Sequence, residues 1–453
     1  MSNPVIDVSQ EMREAPLSGF HIRFAVLIGA ILFVDGYDLF NAAYVAPYVR
    51  QEWGLGPQQI GLMLSVGLAG LAAGALVQGP LSDRFGRRAI TLAGVWVLGL
   101  ASLALAFFAE SFEAFCALRL CLGLALGMLS PLAFVYINEW APSRCANRYA
   151  TLAFVLPFSF GGIFAGIAGM TLAPEWGWRA LYMVGGLALP IAVVGHLMLP
   201  ESIRFLASRE RWAQAAAILT RARPDRAAAY AQATQFISGE GEAGDKPNSI
   251  GALLGPRNRR VTLVIWAAGA LSLLCIHGLT GWLPSIVLSE GSAVRTAFGY
   301  GTMLMTMQIF GGALGGWLAD RFGRLTVMGA GFLGGCVSLL ALAALLGTPF
   351  AIVAVAATGF FIFGAQAILN NYIAMSYETA IRGTAVGVAV AVNRLGGVAG
   401  PMLIGFAQTL PGALWVTLGM LALAQLLASL LLWSQKVRVA NPDINLQQSP
   451  VAE

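Results

Sequence analysis

A ten-residue pattern occurs twice in this chain, once in each half. The first copy reads Gly-Pro-Leu-Ser-Asp-Arg-Phe-Gly-Arg-Arg over residues 79–88, and the second reads Gly-Trp-Leu-Ala-Asp-Arg-Phe-Gly-Arg-Leu over residues 316–325. Each copy joins two long apolar segments. A charged, glycine-containing turn that is duplicated between membrane spans predicts two related bundles that move against each other. This is the sequence form of a secondary transporter built from parallel repeats.

The composition excludes an ordinary water-soluble domain. The chain has 453 residues, of which 58% are hydrophobic and 11% are charged, whereas soluble domains carry about 25% charged residues. Runs long enough to cross a hydrocarbon core of about 30 Å recur from end to end. We therefore predict an all-α membrane protein whose twelve transmembrane helices form two six-helix bundles, with spans at about 22–47, 58–80, 89–108, 113–137, 148–171, 178–199, 261–287, 297–318, 326–347, 350–374, 384–408 and 412–434.

These spans divide the chain into five segments: an N-terminal tail 1–20, a first bundle 21–199, a linker 200–259, a second bundle 260–434 and a C-terminal tail 435–453. Within the linker, Trp212–Leu219 is predicted to be helical and Gly239–Asn248 to be flexible.

The arginine and lysine distribution gives the orientation. If both termini are cytoplasmic, the cytoplasmic segments contain 22 of the 27 arginine and lysine residues and the external loops contain three. This is the positive-inside pattern. We expect a multi-pass protein of the inner (cytoplasmic) membrane with both termini cytoplasmic. The polar first twenty residues lack the pattern of a cleavable signal.

Several function classes lack support in the sequence. The arginines form no basic stripe with interleaved aromatic residues, so nucleic acid is not an expected partner. Three histidines and five cysteines show no metal-ligand spacing, and no nucleophile–base constellation indicates a membrane enzyme. We expect no cofactor and no metal; the expected partners are lipid, protons and a small organic anion, and the chain is expected to be a monomer.

The repeated loops are candidates for gating. A carboxylate and nearby guanidinium groups can hold one side of a transporter shut in one conformation and release it in the other. Glycines allow the tight turn and the close helix approach. The alternative is a simple positive-inside anchor. The candidate gating residues are Gly79, Asp83, Arg84, Gly86, Arg87, Arg88, Asp320, Arg321, Gly323 and Arg324. Arg382 is a further candidate, because the turns after spans four and ten each place a glutamate a few residues before an arginine.

Two acidic residues lie near the middle of the first span. Asp35 and Asp38 are three residues apart and share one helix face. A charged carboxylate at this depth costs at least roughly 2.5–3.5 kcal/mol, and two neighbouring acids raise each other's proton affinity. The pair is therefore the candidate proton-coupling site, with permanent pairing to an arginine as the alternative. Glu139, at the end of span four, either joins the proton path or pairs locally with Arg144 or Arg148.

Two arginines lie within spans. At 1.5 Å per residue, Asp38 and Arg119 lie about 22 and 27 Å from the cytoplasmic ends of their helices, so the depths allow contact. Arg119 either pairs with Asp38, binds an anionic substrate, or supports helix packing. Arg394 lies in a span that contains no acidic residue, and its guanidinium matches a carboxylate as a bidentate partner. It is a candidate substrate receptor, with a structural role as the alternative.

Four further residues are weaker substrate-binding candidates. His277 can titrate near neutral pH, although a lone histidine is more often only hydrogen-bonded. Gln308 and Asn370 either orient a ligand or bridge helices. Tyr37 can stack against a ring, but aromatic residues are abundant in this chain.

The motifs resemble known families. Both repeated loops resemble the signature of the major facilitator superfamily, and Pro-Glu-Ser at residues 200–202 is similar to a motif of many members. The resemblance covers residues 21–434 and implies two six-helix bundles around a central cavity. Asp-Gly-Tyr-Asp at residues 35–38 resembles the Asp-Gly-X-Asp motif of the aromatic acid:proton symporter family, and other residues in fitting places are Arg119, Glu139, Arg382 and Arg394.

That second resemblance implies import of benzoate-like and hydroxybenzoate-like carboxylates, or of muconate and other acids in some relatives, with functional aspartates at Asp35 and Asp38. The expected function is proton-coupled symport of a small aromatic carboxylate by alternating access. An anion entering a negative cell interior is opposed by about 2.3 kcal/mol per 100 mV, and one accompanying proton removes that penalty. The alternatives are a symporter for a non-aromatic acid such as muconate or for a sugar, and a chemosensor with a transporter fold.

Overall fold

The structure, a computed structural model, describes residues 5–233, 235–237 and 249–439. The stretch Gly239–Asn248, which the sequence predicts to be flexible, lies outside the described residues, as do residues 1–4 and 440–453 of the two tails. The described chain is almost entirely helical.

The N-terminal half begins with a short strand, β1 (Val5–Asp7), followed by ten helices. Their bounds are α1 Val8–Arg13, α2 Gly19–Trp53, α3 Pro57–Phe85, α4 Arg87–Phe108, α5 Phe112–Trp140, α6 Ala146–Ala150, α7 Leu156–Thr171, α8 Ala173–Trp176, α9 Trp178–Gly185 and α10 Ala188–Met198.

The linker contains three short helices, a second strand and a further helix, namely α11 Ile203–Ser208, α12 Trp212–Ala222, α13 Ala227–Gln232, β2 Gln235–Ile237 and α14 Ser249–Leu253. The C-terminal half consists of six long helices, namely α15 Arg259–Ser289, α16 Val294–Phe322, α17 Arg324–Leu345, α18 Ala351–Met375, α19 Thr379–Ala407 and α20 Ala413–Val439.

Eleven helical segments of the described chain are long and apolar enough to cross a membrane. Two of these segments combine shorter pieces: a π-helical turn at Thr151–Val155 joins α6 to α7, and α9 runs into α10. The twelfth long helix is α16, whose 29 residues include several glycines and Gln308 and are therefore less apolar. The predicted twelve-helix membrane fold is confirmed.

Several helices are longer than the predicted spans. The first span was expected to end near residue 47, but α2 continues to Trp53 and has 35 residues. At 1.5 Å per residue such a helix is about 50 Å long, which exceeds a hydrocarbon core of about 30 Å. Its polar ends therefore extend beyond the apolar run on which the prediction was based.

The chain forms two compact units. Unit 1 comprises Met1–Asn41, Ala69–Ala168 and Leu172–Asp245, and unit 2 comprises Ala42–Leu68, Gly169–Thr171 and Lys246–Glu453. Among the described residues, the boundaries between the units fall inside α2 and α3, and both inside and at the end of α7. The five-segment division of the sequence stays a prediction.

Each unit has its own apolar core. In unit 1, α4 packs against α5, α9 and α10, and fully buried aromatic side chains include Phe115 and Tyr136. In unit 2, α15 packs against α19, α16 against α18, and α17 against α20. Phe332, Ile368 and Leu432 belong to one buried cluster there.

The N-terminal segment and the linker are joined by a small parallel sheet. Val5 pairs with Gln235, Ile6 with Phe236 and Asp7 with Ile237. The sequence analysis did not predict this pairing, because strands of three residues are too short to show a period. The predicted helix near Trp212–Leu219 is confirmed by α12.

Candidate functional site

The two acidic side chains of α2 are both buried inside unit 1. Asp35 is 1% exposed and Asp38 is 0% exposed. The hydroxyl of Ser130 on α5 donates a hydrogen bond to Asp35 Oδ2, and the hydroxyl of Ser102 on α4 donates to Asp38 Oδ2 at 3.0 Å. Each carboxyl group is therefore held by a serine of a different neighbouring helix. These serines were not predicted from the sequence, because single serines in apolar spans have no diagnostic spacing.

Arg119 lies beside Asp38, a contact that the similar depths of the two residues allow. Its side chain is 3% exposed, and Nη1 donates to the backbone carbonyl oxygen of Asp38 at 3.3 Å. The guanidinium is also an electrostatic neighbour of the Asp38 carboxyl group and of the Tyr182 hydroxyl. Arg119 is thus part of the buried cluster around the aspartates.

Some polar atoms in this cluster have unused hydrogen-bonding capacity. Asp38 Oδ1, Arg119 Nε and both amide atoms of Asn41 are buried and make no hydrogen bond within the described part of the chain. A buried polar atom without a partner costs about 1–3 kcal/mol. These atoms therefore mark positions where a proton, a water molecule or a ligand atom would be stabilised.

Tyr37 anchors α2 to α9. Its hydroxyl donates to the carbonyl oxygen of Leu181 at 2.6 Å, and its ring centroid lies 5.8 Å from that of Phe164. The side chain is buried. A direct role in substrate binding stays a prediction for this residue.

The polar candidates of the C-terminal half lie in unit 2. His277 on α15 is an electrostatic neighbour of Arg394 on α19, so the structure brings these two candidates together. Both side chains are half-buried. Asn370 accepts a hydrogen bond from Gln366 at 2.9 Å one turn earlier on α18, and Gln308 is half-buried on α16.

The first repeated loop is organised by a carboxylate from elsewhere in unit 1. Gly86 has φ +94°, a conformation that side chains rarely adopt. Immediately after it, the backbone amides of Arg87 and Arg88 donate to Glu201 Oε1 at 3.0 and 3.1 Å. Glu201 therefore caps the positive end of α4. It lies in the Pro-Glu-Ser motif, which the sequence analysis used only as a family marker.

Glu139 belongs to the same network. It pairs with Arg87, accepts from the Ser202 hydroxyl at 2.7 Å and lies 3.9 Å from Arg204 Nε. The expected local pairing with Arg144 or Arg148 is wrong. The turn after α5 carries those arginines away from Glu139, while α4 and α11 bring other cations to it.

The rest of the first loop is held mainly through its backbone. Asp83 and Arg84 have exposed side chains, and their carbonyl oxygens lie 3.2 and 3.4 Å from Arg209 Nη2. Arg88 donates to the carbonyl oxygen of His196 at 2.5 Å. The loop is therefore fixed to α10 and α11 as well as to α5.

The second loop has the same backbone but a weaker network. Gly323 has φ +87°, and as the N-cap residue of α17 it offers no side-chain cap of its own. Arg324 lies 3.8 Å from Asp320, whose side chain is 76% exposed. Arg321 stacks on Trp317 with its guanidinium carbon 5.7 Å from the ring centroid.

The turn after α18 contributes little to that loop. Arg382 is exposed, and the glutamate of its motif, Glu378, pairs with Arg257 at 2.8 Å on the surface. The two copies of the pattern therefore share a turn and differ in their partners.

Comparison with known proteins identifies this architecture. A sequence profile described as Major Facilitator Superfamily matches residues 26–401 and, in an overlapping second match, residues 298–449. The chain belongs to the major facilitator superfamily. The gallate transporter of Pseudomonas putida is 34% identical over 436 residues, which is 94% of each chain. The 4-hydroxybenzoate transporter PcaK of Pseudomonas aeruginosa is 32% identical over 421 residues, which is 90% of each chain.

These relatives confirm the predicted resemblance to the aromatic acid:proton symporter family and the expected class, a transporter and not an enzyme. Among solved structures, the xylose transporter XylE from E. coli in a partially occluded inward-open conformation superposes with a TM-score of 0.72. XylE shares 17% sequence identity with this chain, and the match covers 92% of this chain and 99% of XylE. At that identity the likeness shows the fold alone.

Substitution of Gly185 tests whether transport depends on the geometry around Asp38. A Cβ atom at this position would lie 2.5 Å from Ser102 Oγ and 2.6 Å from Asp38 Oδ1, so Gly185→Ala must displace the hydrogen-bonded pair. We expect the initial rate of substrate uptake to fall about tenfold, equivalent to about 1.4 kcal/mol. The control is Gly419→Ala, since that helical glycine has nothing within 4 Å. Wild-type uptake by Gly185→Ala would show that this geometry is dispensable.

The two loops should respond differently to loss of their carboxylates. Glu201→Ala removes the cap of α4 and should cost about 1–2 kcal/mol. Asp320→Asn removes an exposed pair, which contributes at most about 0.5 kcal/mol at this distance. In thermal unfolding of the purified protein, we expect the Glu201 variant to lower the midpoint clearly and the Asp320 variant to leave it nearly unchanged. Equal shifts of the two unfolding midpoints would contradict the difference between the two loops.

Proposed function

We propose that this protein is a proton-coupled symporter that imports a small hydroxylated aromatic carboxylate by alternating access. The observation that carries the proposal is the buried pair Asp35 and Asp38, each bonded to a serine and flanked by Arg119. Two relatives that match nearly the whole chain are named for gallate and for 4-hydroxybenzoate. Both names denote a benzoate ring that carries hydroxyl groups.

The serine contacts suit a site that changes its protonation state. A hydroxyl group both donates and accepts, so Ser102 and Ser130 can donate to an ionised carboxylate and accept from a protonated one. Each aspartate therefore keeps a partner in both states. A carboxyl group that has a partner in both states can bind a proton and release it.

Arg394 is the proposed receptor for the substrate carboxylate. A guanidinium group binds a carboxylate through two parallel hydrogen bonds, and the position of Arg394 on a membrane helix, half-buried beside His277, supports this role. His277, Gln308 and Asn370 supply polar groups of unit 2 that can orient ring hydroxyls. Transfer of one anion with one proton moves no net charge, so the membrane potential does not oppose import.

The remaining elements of the proposal concern placement and gating. The excess of arginine and lysine in alternate loops supports a location in the inner membrane with both termini cytoplasmic. The two repeated loops then lie on the cytoplasmic side and act as gates, the first through Glu201 and Glu139 and the second through exposed charges. The similarity to xylose transporters is evidence for the fold alone, so it does not support a sugar substrate.

Uptake into proteoliposomes tests the coupling. With an acidic exterior, the wild-type protein should accumulate gallate or 4-hydroxybenzoate above equilibrium and should leave xylose and muconate outside. Asp35→Asn and Asp38→Asn remove the titratable group while keeping its size, so each should abolish uphill accumulation. Glu110→Gln, at an exposed position outside the candidate site and the repeated loops, is the matched control. Full accumulation by both aspartate variants would refute the coupling role.

Arg394→Lys separates charge from geometry. Lysine keeps the positive charge but cannot form the two parallel hydrogen bonds of a guanidinium group. We expect the KM for the carboxylate to rise about tenfold, equivalent to about 1.4 kcal/mol of lost binding. Arg295→Lys, at an exposed position of unit 2, should leave KM unchanged. An unchanged KM in the Arg394 variant would remove this residue from the binding site.

A further inference from the structure

The N-terminal segment Val5–Arg13 is folded against the linker. Strand β1 pairs in parallel with β2, and α1 packs against α11 and α5. The apolar side chains Ile6, Val8 and Met12 are all buried. All of these elements belong to unit 1.

One buried carboxylate joins this segment to the linker. Glu11 is 7% exposed, and its carboxylate oxygens lie 3.0 Å from Arg223 Nη1 and 2.9 Å from Arg226 Nη1. The Tyr230 hydroxyl donates to Glu11 Oε2 at 2.7 Å. Removing one partner of such a buried ion pair is strongly destabilising, because it leaves the other charge without compensation.

The opposite face of the segment lies over the network of the first loop. Val8, Ser9 and Met12 line a small internal cavity together with Glu139 and Arg204. Burial lowers the pKa of Arg204, and the positive charge of Arg13 acts in the same direction, whereas Asp7 opposes it. The tail therefore lies against Glu139, and its charges act on Arg204, which is 3.9 Å from Glu139.

We propose that Glu11 is a positioning residue of the transport cycle. It fastens the N-terminal segment to the linker, and the segment lies against Glu139. Glu11 thereby acts on the rate of the conformational step and not on substrate affinity. The inference rests on the proposed transport function, since that function is what gives the first loop its gating role.

Hydrogen exchange of the purified full chain tests the docking. Amides of residues 5–13 should be protected in the wild-type protein, and in Glu11→Gln they should exchange about tenfold faster, because loss of the buried charge favours local opening. Glu14→Gln is the matched control, since Glu14 is exposed and accepts a hydrogen bond from Gln10 one turn away. Tyr230→Phe removes a single hydrogen bond and should give an intermediate rate. Wild-type protection in Glu11→Gln would overturn the proposal.

Uptake kinetics of gallate and 4-hydroxybenzoate test the positioning role. In Glu11→Gln we expect Vmax to fall about fivefold, equivalent to about 1 kcal/mol, with KM changed less than about twofold. Arg223→Gln should have a smaller effect, because Glu11 keeps Arg226 and Tyr230, and the double variant should lose less than the two single effects combined, because both changes affect the Glu11–Arg223 contact. A general loss of folding would instead alter KM and yield together.

The outcomes separate this inference from the proposed function. If the wild-type protein transports neither carboxylate, the proposed function fails, and the positioning role in transport fails with it. If the wild-type protein transports and Glu11→Gln exchanges rapidly at residues 5–13 yet keeps the wild-type Vmax, only the positioning role fails.

Discussion

The insertion of two carboxyl groups into a membrane helix is the constraint on which unit 1 depends. An acidic side chain at this depth must be protonated, hydrogen-bonded or paired, because hydrocarbon offers it no partner. The chain meets this requirement with Ser130 and Arg119 from α5 and Ser102 from α4. The hydrogen bonds that stabilise the buried aspartates therefore also hold α2 against two neighbouring helices.

The repeated loops show that similar sequences do not guarantee similar interactions. Both turns need a glycine with positive φ, and both have one. The difference arises from residues outside the repeat. Glu201 and Glu139 converge on the first loop from distant positions in the chain, whereas the ion pair of the second loop, Arg324 with Asp320, is local and exposed. The two halves therefore do not contribute equally to any gate built from these loops.

Some features of this protein can be predicted from its sequence and others cannot. The difference depends on the physical origin of each sequence pattern. Long apolar runs reflect the need to cross the hydrocarbon core, so they predicted the twelve helices. Helical rise showed that the depths of Arg119 and Asp38 allow contact, but it did not choose between pairing, substrate binding and helix packing. Ser102, Ser130 and Glu201 act through contacts between distant segments, and a single polar residue has no periodicity that would reveal such a partner. The arginine partners of Glu139 were missed for the same reason.

Helix α5 links the acidic pair to the first loop. It carries Arg119 and Ser130 at the level of the aspartates and Glu139 at its end, where the Arg87 pair forms. Pro131 lies between these two regions, and a proline inside a helix removes one backbone hydrogen bond and favours a bend at that point. If protonation of Asp35 alters its bond to Ser130, the change falls directly beside this weak point. A movement of α5 at Pro131 would therefore change the position of Glu139 relative to Ser130.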